Sequence, residues 1–214
     1  MRKLARPRIL LAFLLCCFAT PLFGGTVLFL GDSLTAGLGV QEAQAYPALI
    51  QEKIRAQNLP FEVINAGLSG DTTAGGLSRL DWILLKPIDV LVFALGANDG
   101  LRGLPVEEMR ANLQAIIDKV RAKDPQVKLV IAGMQIPPNL GADYAAKFTA
   151  VFPELAQKNH AALVPFLLEG VGGHVDLNQA DHMHPTPAGH KILAENVWKV
   201  LEPLLTKTAP DETR

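Results

Sequence analysis

Four short stretches hold the side chains and backbone groups of this chain that could do chemistry together. Ser33 stands in GDSLTAG (31–37), Gly70 in GLSGDTT (67–73), Asn98 in GANDG (96–100), and Asp181 and His184 in DHMHP (181–185). A serine hydroxyl is a weak nucleophile unless a base takes its proton and an acid orients that base. Asp181 lies three residues before His184, so in a turn its carboxylate can meet one ring nitrogen while the other faces outward. Attack by Ser33 on an acyl carbon would develop negative charge on oxygen, which needs hydrogen-bond donors. The N–H of Gly70, the side-chain amide of Asn98 and the N–H of Ser33 itself are the candidates. The chemistry is acyl transfer through a serine ester, and it requires no metal and no organic cofactor.

Five apolar runs must position these residues: TVLFLG (26–31), FEVINAG (61–67), DVLVFALG (89–96), KLVIAGM (128–134) and AALVPF (161–166). They lack polar alternation, as parallel strands covered on both faces do. Helical patterns occupy 44–57, 73–85, 105–122, 142–159 and 186–205; in the third, Met109, Leu113, Ile116, Ile117 and Val120 recur at helical spacing. Strands alternating with helices of this length predict an α/β fold, a three-layer αβα sandwich around a five-stranded parallel sheet. Active residues in such a sheet gather beyond the carboxyl ends of the strands. The four stretches fall in the loops that leave strands one, two, three and five.

Other readings of the same residues are weaker. Asp181, His182, His184 and His190 lie within ten residues and include zinc-type ligands. A His184 committed to Ser33 leaves too few of them for a metal, so His182 and His190 read as surface or packing residues. The glycines at 31, 37 and 39 match neither G-x-G-x-x-G nor G-K-[ST], which argues against a nucleotide fold. Asp99 either caps the following segment or braces the Asn98 loop.

GDSLTAG, NAGLSGDTTAGGLSRL (65–80), LGANDGLRG (95–103) and DHMHP, in that order, closely resemble the four signature blocks of the SGNH, or GDSL, hydrolases. More narrowly, the chain is similar to the exported bacterial branch whose members act as acyl-CoA thioesterase, lysophospholipase L1 and arylesterase. The resemblance implies a flavodoxin-like fold and an acylhydrolase cleaving esters and thioesters of fatty acyl groups. It implies Ser33 as nucleophile, His184 as base with Asp181 as its partner, and Gly70 and Asn98 as oxyanion donors. Asp32 would support the nucleophile turn rather than act as a second base. A carbohydrate O-acetyl esterase is the alternative within the same apparatus. Apolar residues on the expected rim loops, Leu38, Val40, Leu101, Leu104, Ile136 and Leu140, favour an acyl pocket.

The first 24 residues stand apart from the fold. MRKLARPR carries four basic residues and no acid, and the apolar run ILLAFLLCCFA follows. That is the pattern of an export signal, too short to span a membrane comfortably. It implies a periplasmic or secreted protein of one domain (25–205) with a frayed tail (206–214). Losing the leader removes both cysteines and moves the formal charge from −1 to −5. A mildly acidic surface does not suit nucleic acid. The expected partners are small-molecule or lipid-like esters and thioesters, with transient contact with membrane lipid; the expected state is a monomer.

Overall fold

The computed structural model describes residues 24–206, so the expected leader and tail lie outside the described residues except at Gly24 and Thr206. The five apolar runs become β1 (Gly25–Gly31), β2 (Phe61–Gly67), β3 (Val90–Ala94), β4 (Lys128–Ala132) and β5 (Ala162–Val164). All pairings are parallel, in the order β2-β1-β3-β4-β5. Around them lie α1 (Ser33–Ala36), α2 (Tyr46–Ala56), α3 (Thr73–Ile83), α4 (Ala97–Leu101), α5 (Val106–Lys123), α6 (Ala142–Lys158) and α7 (Pro187–Thr206).

The strand order dictates the layers. The β1 to β2 connection moves one way across the sheet and the later connections move the other way. With right-handed crossovers, α2 therefore covers one face while α3, α5 and α6 cover the opposite one. In agreement, α5 packs between α3 and α6, and α7 packs on α2. Burial follows: Val27, Leu28, Phe29 and Leu30 of β1 and all of β3 are inaccessible to water, whereas edge strand β2 is partly exposed. The five apolar residues singled out in the third helix are all buried in α5.

Most element boundaries differ by one or a few residues from the sequence reading, and three of the differences have clear local reasons. β5 is three residues rather than six, because Pro165 has no N–H to continue the ladder. β3 stops at Ala94, before Gly96 turns the chain at φ +116° into α4. Thr206 is the last residue of α7 and not part of a frayed tail.

One place in this sheet is special. β1 has β2 on one side and β3 on the other, so the chain leaves its neighbours in opposite directions and opens a crevice at their carboxyl ends. Ser33 begins α1 directly after β1, and Asn98 lies in α4 directly after β3.

Candidate active site

Ser33 is presented by a reversal that demands glycine before it. A Cβ on Gly31 would sit 2.0 Å from Thr35 Oγ1 and 3.0 Å from the Ala94 carbonyl oxygen, so only hydrogen fits there. The Asp32 carboxylate accepts from the Leu34 N–H at 3.0 Å and caps α1. Four residues after Ser33, Gly37 ends the helix at φ +76°, its N–H donating to the Ser33 carbonyl. Thr35 Oγ1 and the buried Tyr46 hydroxyl lie 2.8 Å apart, tying α1 to α2. A four-residue helix held at three points leaves Ser33 little freedom.

The histidine arrives from the far end of the chain. His184 Nε2 lies 2.9 Å from Ser33 Oγ, and its Nδ1 lies 2.6 Å from Asp181 Oδ2. The other oxygen, Oδ1, accepts from the N–H groups of Met183 (2.9 Å) and His184 (3.0 Å). These bonds hold the Asp181 carboxyl far below the usual carboxylate range, the His184 N–H contributing most. An ionised carboxylate only accepts, so in the neutral tautomer of the ring the proton belongs on Nδ1 and Nε2 is left to accept from the serine hydroxyl.

Gln179 docks this loop onto the serine loop. Its Nε2 donates to the carbonyls of Leu38 (2.7 Å) and Pro185 (3.0 Å), and a Cβ on Gly39 would collide with its Oε1 at 2.1 Å. Within the loop, His182 holds a left-handed backbone at φ +59°, a rare state for a residue with a side chain.

The donors converge from β2 and β3. Leu68 N–H binds the Gly31 carbonyl at 2.9 Å, and Asp71 N–H closes the turn onto Leu68 at 3.0 Å. Gly70, between them, has φ +81°. Among the described residues its N–H has no acceptor. Asn98 Nδ2 donates to the Asp71 carbonyl at 2.9 Å and makes a longer contact, 3.4 Å, with Asp32 Oδ2. The longer bond is the weaker, and a substrate oxygen could replace it. Ser33 N–H, first in α1, has no carbonyl within its own helix to reach.

Two further anchors were not legible as site residues. Arg79 donates to Asp71 Oδ2 (2.8 Å) and to the carbonyls of Gly31 (3.2 Å) and Ala66 (2.8 Å), clamping the ends of β1 and β2 to the Gly70 turn. Arg102 donates to the Gly70 carbonyl at 3.0 Å. Nothing but position distinguishes either arginine from surface ones in the sequence. Asp99 does not cap the following segment: its carboxylate accepts from Thr73 N–H (2.9 Å) and Oγ1 (2.6 Å) at the start of the preceding helix α3, tying the Asn98 segment to it.

Burial shapes the electrostatics. Asp32, 1% exposed, is pushed up to about 6, chiefly by desolvation, against the pull of the Leu34 N–H and of His184. His190 is 1% exposed, accepts from Tyr46 N–H at Nδ1 (3.3 Å) and stacks on the Tyr46 ring. Burial pushes it down to about 4, as expected of a packing residue. His182 is on the surface. Among the described residues no group of three or more acidic, histidine or cysteine side chains is placed to hold a metal. Of the apolar rim, Leu38, Leu101, Leu104 and Leu140 are exposed, joined by Leu68 and Met183, which the sequence reading did not include.

A parallel α/β sheet carrying a Ser–His–Asp chain at its switch point, beside unspent donors, defines the serine hydrolase class. Residues 29–192 match the GDSL-like Lipase/Acylhydrolase family, and the chain belongs to it as a serine esterase-acylhydrolase. It is 43% identical over 181 residues to Esterase TesA of Pseudomonas aeruginosa, covering 84% of this chain and 89% of that one. It is 36% identical over 182 residues to thioesterase 1/protease 1/lysophospholipase L1 of Escherichia coli K12, covering 84% and 85%. The crystal structure of the psychrotrophic esterase EstA from a Pseudoalteromonas species, inhibited by monoethylphosphonate, matches with a TM-score of 0.79 at 34% identity. That match covers 85% of this chain and 99% of EstA.

Proposed function

We propose that Ser33 is the nucleophile, His184 the general base, Asp181 its orienting acid, and the N–H groups of Ser33 and Gly70 with Asn98 Nδ2 the oxyanion donors. The observation that carries this reading is the hydrogen-bonded chain from Ser33 Oγ through His184 to Asp181. In the first half-reaction, His184 Nε2 takes the hydroxyl proton as Oγ bonds the acyl carbon. The carbonyl oxygen becomes an oxyanion and turns to the three donors, displacing the long Asn98 contact with Asp32. Collapse breaks the bond to the alkoxy or thio group, which leaves with the proton from Nε2. Water then gives a proton to Nε2, attacks the acyl-serine, and frees the acid as Ser33 regains its proton. Asp181 stays ionised throughout, stabilising the imidazolium without accepting its proton.

The substrates proposed are fatty acyl esters and thioesters, lysophospholipid or aryl ester among them. The apolar rim of Leu38, Leu68, Leu101, Leu104, Leu140 and Met183 supports an acyl chain, and transient contact with lipid, better than a sugar. The basic and apolar leader supports export to the periplasm or beyond, where free acyl-CoA is not an expected substrate. A monomer is proposed on size, since one core serves the described residues. The test is hydrolysis of p-nitrophenyl esters from acetyl to palmitoyl, and of lysophosphatidylcholine, by wild type and S33A. Medium- or long-chain preference abolished in S33A is expected. Confinement to acetyl esters would move the assignment to carbohydrate O-deacetylation.

A further inference from the structure

Two carbonyls in succession, those of Gly70 and Asp71, are each held by a side chain of the segment following β3. Asn98 Nδ2 binds the Asp71 oxygen at 2.9 Å and Arg102 Nη2 binds the Gly70 oxygen at 3.0 Å. The two residues are four apart and joined by the Arg102 N–H to Asn98 carbonyl bond, so they stand one above the other on one helical face. We propose that Arg102 is a positioning residue for the oxyanion site: with Asn98 it forms a two-point clasp that aims the Gly70 N–H. The proposal rests on the reading of Gly70 as an oxyanion donor.

The clasp answers a physical need. Gly70 sits at φ +81° with nothing closer to its Cβ position than Arg102 Nη2 at 3.8 Å, so packing does not hold the turn. Glycine loses more backbone freedom on ordering than any other residue, and an exposed glycine turn left to itself would sample several states. The Asp71 carbonyl belongs to the Asp71–Thr72 peptide, so fixing it alone leaves the Gly70–Asp71 peptide held at its other edge, by the Asp71 N–H bond to the Leu68 carbonyl. Fixing the Gly70 carbonyl as well sets the orientation of that peptide plane and, with it, the torsions that aim the N–H on the other side of the same Cα. Arg102, like Arg121, lacks a carboxylate partner among the described residues, whereas Arg55, Arg79 and Arg110 have one. The Arg102 charge is therefore left beside the place where negative charge develops.

A role confined to the transition state separates this from a fold contact, because a residue that aims an oxyanion donor acts on kcat and not on substrate affinity. The experiment compares wild type with R102Q and R102K on p-nitrophenyl butyrate, with S33A as background. Expected for R102Q is a fall in kcat of about tenfold, less than complete loss of a donor causes. Its KM should stay within about twofold, and Arg102 being exposed, its melting curve should be unchanged. R102K, which keeps the charge and can reach one carbonyl, should recover part of the rate. In 15N-labelled protein the Gly70 amide resonance should shift or broaden in R102Q and not in a remote R55Q control. Unchanged kcat, a change confined to KM, or an unmoved Gly70 resonance would each overturn the clasp. An unchanged kcat in G70A would instead sink the underlying reading of Gly70 as a donor.

Discussion

Replacing Asp32 by Asn should make the protein more stable relative to wild type at pH 8 than at pH 4. Asp32 is buried, and its carboxyl is raised from 3.8 to about 6. Between those values the folded state holds a proton that the unfolded chain has released. The stability this gives is complete below about pH 4 and is lost as pH rises through 6. A shift of about two units corresponds to about 3 kcal/mol, fully lost by pH 8. Asn cannot ionise and its side-chain oxygen can still accept the Leu34 N–H that caps α1. Any fixed difference between Asn and protonated Asp is independent of pH and cancels. The gap between D32N and wild type should therefore widen by about 2 to 3 kcal/mol from pH 4 to pH 8. Urea unfolding followed by far-UV circular dichroism at pH 4, 5, 6 and 8 measures it. Stability curves that run parallel across that range would refute the reasoning. Activity should move the other way: the Asp32 carboxylate interacts with His184, which the proposed mechanism makes cationic, so D32N should turn over more slowly at pH 8.

Further outcomes follow from the same geometry. R79A leaves the Asp71 carboxylate, 6% exposed, buried without its partner and frees the ends of β1 and β2; a loss of about 3 kcal/mol in chemical denaturation is expected. G70A meets no steric block but forces a left-handed backbone on alanine. It should cost about 1 to 2 kcal/mol of stability and lower kcat about tenfold to a hundredfold through the displaced N–H, read by steady-state kinetics. His190 lies at about 4, below its ordinary 6.5, so the unfolded chain binds a proton first and wild-type stability declines as pH falls through that window. H190Q, which cannot titrate, should lose that part of the pH dependence in the same unfolding series. Asp32 and His190 oppose each other between pH 4 and 6, and D32N should expose the His190 slope that wild type masks.

The layers of the fold were legible because the strands are uniformly apolar and the long helices keep their period, as α5 does from Met109 to Val120. The two helices that carry the site were not. α1 and α4 span four and five residues, about one turn each, which is too short for a 3.6-residue period to show against flanking glycines. They read as loops, and only contacts reveal that Asp32 caps one and that Asp99 ties the other to α3. Ser33, Gly70, Asn98, Asp181 and His184 stood out because each needs its residue type at its place, and glycine or a partner three residues away marks it. Gln179, Arg79 and Arg102 act through long side chains on backbone carbonyls. Such bonds depend on the packed geometry and leave no spacing in the sequence. The pKa of Asp32 was hidden for the same reason, since burial is a property of the fold and not of the residue.

The most direct test of the central claim is the site of covalent capture. The protein is treated with a fluorophosphonate, digested, and mapped by mass spectrometry beside S33A. The account predicts one adduct, on the peptide containing Ser33, forming in step with loss of esterase activity, slowed by H184A and absent from S33A. Adduct formation at another residue, or an unchanged extent of labelling in S33A, would contradict it.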